Sequence, residues 1–457
     1  MAFTVKNPSR YFFFTGLLMI LGYEAYLLFS IINDLRPVAD DYCLAGSTGL
    51  DPFGYYKYWY TSFIADVTTL TGNYFLIALP AVYLPYGVGT SVTFIFCLAV
   101  ISLVVMKFIK VEKTNRRKSS LLFAVTFFYS LLAWLTYWYV LGLGNSGDMI
   151  SRGESGDMVF FGAILNWQAS NINYVILPLL ALLIYSGMFT VRFAKRNVFV
   201  ALILGIVVGG SFYVTSSVFI LLLAVQLVLE LSRSRPFTIL KFRNEIVVIV
   251  GATASISYSY LSPGAQIRSM NYNKDISVVA IVKTAFEAIF TWTSTLYLPA
   301  LVITLVMGAI LYRLLRTLDL GGLNLQVEKF VLIPFSLSLI TFVVTKVSEL
   351  FAYKAFWHEL SSRTFLFVSV FSFGIYLMKT LDLYVRQQFN FLLLTIFATT
   401  IFVAVFSLKQ AQSSIEDRKV KWEVGAAQVT KGMDPFDRET PWVDNCWIQL
   451  EQRRASR

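Results

Sequence analysis

The chain has 457 residues, of which 57% are hydrophobic and only 14% charged, and it carries a formal net charge of +11. Soluble domains carry about 25% charged residues, which excludes a water-soluble globular enzyme as the body of the molecule. The basic excess does not signal nucleic acid: it is parcelled into short clusters between apolar runs, the pattern that sets membrane topology.

Apolar runs of about 20 residues, the length that crosses a bilayer, recur from end to end. The first, Tyr11 to Ile32, follows Lys6 and Arg10. A signal peptide is the competing reading, but the run is long for one and enters Asn33-Asp34 without a small-residue cleavage site. It reads as a span with a cytoplasmic N-terminus. Residues 33–87 follow as a long outward loop, where Tyr55, Tyr56, Tyr58, Trp59 and Tyr60 around Lys57 predict a helix lying on the membrane. Further spans are expected at 88–110, 119–142, 172–191, 198–212, 214–231, 246–262, 295–315, 330–350, 364–380 and 389–408, with a tight hairpin at Gly209-Gly210. This arrangement puts Lys113 to Lys118, Arg192 to Arg196, Arg233 to Arg243 and Arg313 to Arg316 on the cytoplasmic side. Within 276–292, Lys283 and Glu287 at i,i+4 spacing predict a second interfacial helix.

The expected fold is an all-α polytopic membrane protein of about eleven transmembrane helices, divided into a membrane module over 1–408 and a small extracytoplasmic tail over 409–457. The tail is polar, carries Trp422, Trp442 and Trp447, and is expected to cap the membrane face. Cys43 and Cys446 then both face outward, where pairing is chemically open to them, while Cys97 sits in a span as a small hydrophobe. Three cysteines without metal-ligand spacing, and one histidine, exclude a cysteine-rich zinc site.

The outward connections are the long ones, at 33–87, 143–171, 263–294 and 351–363, and chemistry concentrates on such loops. Asp40 and Asp41 are adjacent carboxylates just past the first span; they suit a general base or a divalent cation, and equally a solvated acidic turn. Arg268 follows Ser262-Pro-Gly, read as a turn at the mouth of a span. Its planar fork suits a phosphate, and equally the lipid headgroups. Lys354, His358, Glu359 and Arg363 share one outward loop, against the positive-inside trend; an anionic lipid phosphate is one reason, a hydrated loop another. Lys346 and Glu349 stand at i,i+3 just before it. In 143–171 the glycine-rich stretch lacks the lysine of a nucleotide-binding loop. Its Asn166, Trp167 and Gln168 suit sugar recognition or an aromatic belt, and Asn73 is a further outward polar candidate.

This order of parts resembles the GT-C superfamily of membrane glycosyltransferases, in particular bacterial members that use a polyprenyl-phosphate sugar. The resemblance rests on one span followed by a long outward loop that opens with Asp40-Asp41, then interfacial helices and many spans with basic inward connectors. The stretches Ala39-Asp-Asp-Tyr-Cys43 and Ser262-Pro-Gly through Arg268 also resemble an uncharacterised bacterial branch of that group. It implies a bacterial plasma-membrane enzyme that passes a sugar from polyprenyl phosphate to a hydroxyl of a glycan, lipid or protein. Asp40 or Asp41 would be base or acceptor-placing residue, with Mg2+ or Mn2+ as the cation they would share. Arg268, Lys354, His358 and Arg363 would be the donor-phosphate candidates, and Asn166, Trp167, Gln168 and Asn73 those for sugar or acceptor. A transporter or flippase of a lipid-linked or polar solute, and a surface-polysaccharide polymerase or ligase, are the alternatives from other classes.

Overall fold

The computed structural model describes residues 51–62, 66–79, 172–194, 196–233, 239–269, 276–317, 328–351 and 359–384, with isolated positions within 19–30, 83–103, 125–141 and 402–420. Among the described residues there is no strand. The helices are α1 (Pro52–Ser62), α2 (Val67–Asn73), α3 (Leu177–Gly187), α4 (Val191–Ala194), α5 (Val198–Gly209), α6 (Tyr213–Arg233), α7 (Arg243–Tyr260), α8 (Pro263–Ser269), α9 (Val278–Ser294), α10 (Leu298–Thr317), α11 (Ile333–Phe351) and α12 (Leu360–Tyr384). Three π-turns adjoin them: Tyr74–Ala78 continues α2, Ile172–Ile176 leads into α3 and Glu328–Leu332 leads into α11.

Local chemistry explains several of the starts. The Asp51 carboxylate accepts from the Phe53 and Gly54 amides at 3.1 and 2.8 Å, ahead of Pro52 at the first helical position of α1. Asn197 accepts from the Phe199 amide at 2.8 Å to open α5, and Ser277 from the Ala280 amide at 3.1 Å to open α9. Pro263-Gly264, expected to turn, instead begins α8: Ser262 Oγ accepts from the Ala265 amide at 3.1 Å, and a first-turn proline loses no hydrogen bond.

Among the described residues, four helical stretches are long and apolar enough to cross a membrane: Tyr213–Arg233, Leu298–Arg316, Phe330–Phe351 and Leu360–Leu381. They coincide with the expected spans 214–231, 295–315, 330–350 and 364–380. Expected spans 172–191 and 198–212 appear as the shorter apolar helices Ile172–Gly187 and Val198–Gly209. The latter, at 12 residues, reaches only about 18 Å, short of the ~30 Å hydrocarbon thickness. Residues 246–260 of the expected span 246–262 lie on α7, which opens with Arg243, Asn244 and Glu245 and does not join the four. The spans expected at 11–32, 88–110 and 389–408 lie outside the described residues but for isolated helical positions, and 119–142 is described in part. The eleven-span count is therefore carried by the structure only to these four helices. At Gly209-Gly210 the chain turns as the sequence predicts.

Helix directions follow from cross-chain contacts. Arg363 Nη1 donates to the Thr295 carbonyl at 2.8 Å, and further along Gly308 lies against Phe371 and Gly374 against Leu305, so α10 and α12 run parallel. Helix α11 runs against them: Ser362 Oγ donates to the Ser338 carbonyl, and Ser369 Oγ to the Val331 carbonyl, at 2.7 and 2.8 Å. Phe212, just before α6, stacks on Tyr174, whose carbonyl accepts from Thr364, and Phe219 meets Phe365; α6 thus begins where α12 begins. One end of the bundle therefore gathers Arg233, Arg313, Arg316 and Lys379, with Glu230 beside them. The other gathers Lys346, Glu349, Glu359 and Arg363.

Glycine sets the closest helix pairs. A Cβ on Gly308 would run into the Phe371 carbonyl, one on Gly374 into the Leu305 carbonyl, and ones on Gly205 and Gly209 into α7 at Val248 and Ala252. Small residues permit such backbone approach where hydrophobic association offers no drive. At the basic end, Asn244 Nδ2 donates to the Phe193 and Arg196 carbonyls, both at 2.9 Å, tying α7 to the end of α4. The neighbouring Glu245 carboxylate accepts from the Phe189 amide, which holds that residue at φ 56°, unusual for a bulky side chain.

Gly308→Leu should lower stability by about 3 kcal/mol. Gly187→Ala, where an added Cβ meets nothing within 4 Å, should stay within about 0.5 kcal/mol of the wild type. Unfolding of both variants in detergent checks the contrast.

Candidate functional site

Every charged residue of the four spans lies within a few residues of a span end: Glu230 and Arg233, Arg313 and Arg316, Lys346 and Glu349, Arg363 and Lys379. Their middles are free of formal charge. The end at which the two signs balance is built from the close of α11, the starts of α10 and α12, and the helices around them.

Its centre is a four-residue ionic chain. Lys346 Nζ lies 2.6 Å from Glu359 Oε1 and 3.3 Å from Glu349 Oε1, and Glu359 Oε2 lies 3.7 Å from Arg363 Nη2. Two cations and two anions balance. Arg363 is 2% exposed, Glu359 13%, Lys346 25% and Glu349 10%, so Lys346 is the member nearest the surface. Lys346 also sits over the Phe342 ring, 5.4 Å from its centroid.

Arg363 has a second task. Thr295 is the C-cap of α9, and its carbonyl receives Arg363 Nη1, a cation placed where the helix leaves acceptors unmet. The backbone carbonyl of Arg363 in turn accepts from Tyr137 Oη at 3.2 Å. Trp292 Nε1 donates to Ser338 Oγ at 3.3 Å, and Ser338 and Ser362 hydroxyls meet at 3.2 Å. Through these bonds α9 is fastened to α11 and α12 along one edge. Its other side exposes Val278, Val282, Phe286 and Phe290, with Lys283 and Glu287 paired at 3.7 Å, as an interfacial helix requires.

Around this centre lie α1, α2 and α8. Tyr60 stacks on Tyr258 of α7 at 5.0 Å and on Tyr56 at 5.9 Å, making a tyrosine ladder between α1 and α7. Burial, and then a hydrogen bond to Tyr258, hold the Tyr56 phenol above its ordinary pKa; for Tyr60 the hydrogen bond to Tyr258 is the larger cause. Helix α8, which carries Arg268, packs on α1. The first amides of α2 donate to Gly210, from Thr68 at 3.1 Å and Thr69 at 3.2 Å, so the hairpin turn caps that helix.

Of the expected site residues, the structure thus places Arg363, Arg268 and Asn73 on elements at one end of the bundle. Asn73 is 1% exposed on α2, and neither amide atom has a partner among the described residues. Asp40, Asp41, Lys354, His358, Asn166, Trp167 and Gln168 lie outside the described residues. Arg363 was expected in a loop and instead occupies the first turn of α12. The Ser361-Ser362-Arg363-Thr364 stretch reads as polar, yet all four are buried, and Ser362, Arg363 and Thr364 find carbonyl acceptors inside the bundle. Sequence reasoning found the Lys346–Glu349 pair but not the shorter Lys346–Glu359 contact, which joins two helices and leaves no spacing signature.

No protein-family model, no curated protein and no solved structure matches the chain.

Removing Arg363 strips Glu359 of one cation and α9 of its cap. Arg363→Met should cost about 3–5 kcal/mol, and Glu359→Gln in the same chain should recover part of that loss. Thermal unfolding of the two single variants and the double variant measures the coupling; additive losses would refute it.

Proposed function

We propose that the chain is a GT-C-type membrane glycosyltransferase. It moves a sugar from a polyprenyl-phosphate donor to an acceptor hydroxyl at the outer face of the bacterial plasma membrane. The supporting observation is the division of the bundle: charge-free span middles, one end with a basic excess (Arg233, Arg313, Arg316 and Lys379 against Glu230), and an opposite end where Lys346 and Arg363 face Glu349 and Glu359. The basic end fits the cytoplasmic side. A transporter coupled to ions or protons calls for ionisable groups within its spans, and the middles of the described spans hold none.

In this reading Asp40 or Asp41 takes the proton from the acceptor hydroxyl. The oxygen attacks the anomeric carbon, and the bond from that carbon to the phosphate oxygen breaks. Negative charge builds on the departing lipid phosphate, where Arg268, Lys354 and His358 are the cations at hand. Arg363, already bonded to Glu359 and Thr295, acts by positioning the start of α12 and the end of α9. Asp40 and Asp41 would hold a divalent cation if one is used; among the described residues no three His, Cys, Asp or Glu side chains come together to complete such a site.

The test is transfer from radiolabelled polyprenyl-phosphate sugars by purified protein supplied with crude envelope acceptors. The wild type should release polyprenyl phosphate, and Asp40→Asn or Asp41→Asn, still folded, should slow release by about 10²-fold or more. Full activity in both variants would remove the pair from the site. No release from a broad donor panel by folded protein would sink the transferase reading, and lipid flipping would then be measured.

A further inference from the structure

We infer that the junction of α2, where it runs into the π-turn Tyr74–Ala78, with the π-turn Ile172–Ile176 is a subsite for a neutral, hydroxyl-bearing ligand. On the transferase reading, on which this rests, that ligand is the sugar carried by the lipid phosphate. A π-turn breaks the regular backbone ladder, and such turns inside helices recur at functional sites. Helix α2, which runs into the first of them, packs on the second. A Cβ on Gly72 would stand 3.0 Å from Ile172 Cγ2, so glycine at 72 eases this close approach.

The residues that follow these two in the chain carry unmet polar atoms. Both amide atoms of Asn73 are buried without a partner, as is Asn173 Oδ1. Thr69, one helical turn before Asn73 on the same face of α2, is 1% exposed and its hydroxyl is likewise unanswered. Buried polar side chains in native proteins are as a rule hydrogen-bonded; three exceptions on two touching elements mark a place shaped for a polar guest.

The donor set selects the guest. An amide offers a donor and an acceptor, a hydroxyl offers both, and none of the three side chains is charged. An ion would find no counter-charge there, whereas sugar hydroxyls would find both donors and acceptors. The Tyr74 ring, edge-on to Tyr55 at 5.2 Å, adds an apolar wall. Helix α1 lies against this turn through Tyr55, so entry of a ligand requires α1 to move aside.

The experiment uses the full chain in lipid nanodiscs. Its thermal stability is measured with polyprenyl phosphate alone, and with polyprenyl phosphate bearing a hexose or a pentose. The wild type should bind a sugar-bearing lipid more tightly than the bare one. Asn73→Leu should lose that increment, about tenfold to a hundredfold in apparent affinity for two hydrogen bonds, and keep its response to the bare lipid. Should Asn73→Leu fold poorly, Asn73→Ser and Thr69→Val are read the same way. An increment that survives these changes overturns the subsite and leaves the transferase reading intact. No response of the wild type to any of the lipids overturns both.

Discussion

A guanidinium buried at the meeting point of three helices is the interaction on which the described bundle turns. In a membrane interior each unmet polar group is costly, and irregular backbone survives only where protein satisfies it. Arg363 meets that demand twice: it gives the end of α9 a donor at Thr295, and it balances Glu359 at the threshold of α12. Tyr137 closes the arrangement by donating to the carbonyl of the same residue. The start of α10, the end of α11 and the start of α12 are thereby held at one level, and Lys346 extends the chain of charges toward the surface. The Trp292–Ser338–Ser362 bonds fasten the same helices a step further in.

Away from that point the helices are held by a different device. Where polar bonds are sparse, glycine lets backbones come close: α10 with α12 through Gly308 and Gly374, and α5 with α7 through Gly205 and Gly209. The consequence is a bundle with unlike ends. One is basic and tight, with Asn244 gathering the carbonyls of a turn. The other is open in composition, with π-turns, short helices, a tyrosine ladder and mixed charge. Chemistry that needs positioned polar groups has its material at the second end, where we place the proposed site and its sugar subsite.

Much of this was legible in the residues. Apolar runs located the four spans, Gly209-Gly210 marked the hairpin, and Lys283 with Glu287 announced α9. Each is a local signal, carried by neighbours in sequence. The errors were also local in origin. Pro263 was read as a breaker although proline favours a helix's first turn. The polar stretch before Thr364 was read as loop because its partners, Thr295, Ser338 and Tyr137, lie far away in the chain. Of the candidate site, Arg268, Arg363 and Asn73 were named from type and position, but the chain of Lys346, Glu359 and Arg363 was not.

The amino-acid sequence by itself determined that the protein is helical and membrane-embedded, where its long apolar helices fall, and which of their ends are basic. Hydropathy and the charge of short connectors act locally, so no partner helix is needed to read them. Only the tertiary structure decided that α10 and α12 run parallel with α11 against them, that Arg363 is a buried anchor, and that Asn73 meets no protein partner among the described residues. Those outcomes depend on which distant carbonyl or carboxylate fills the space beside each side chain, and packing alone supplies that neighbour.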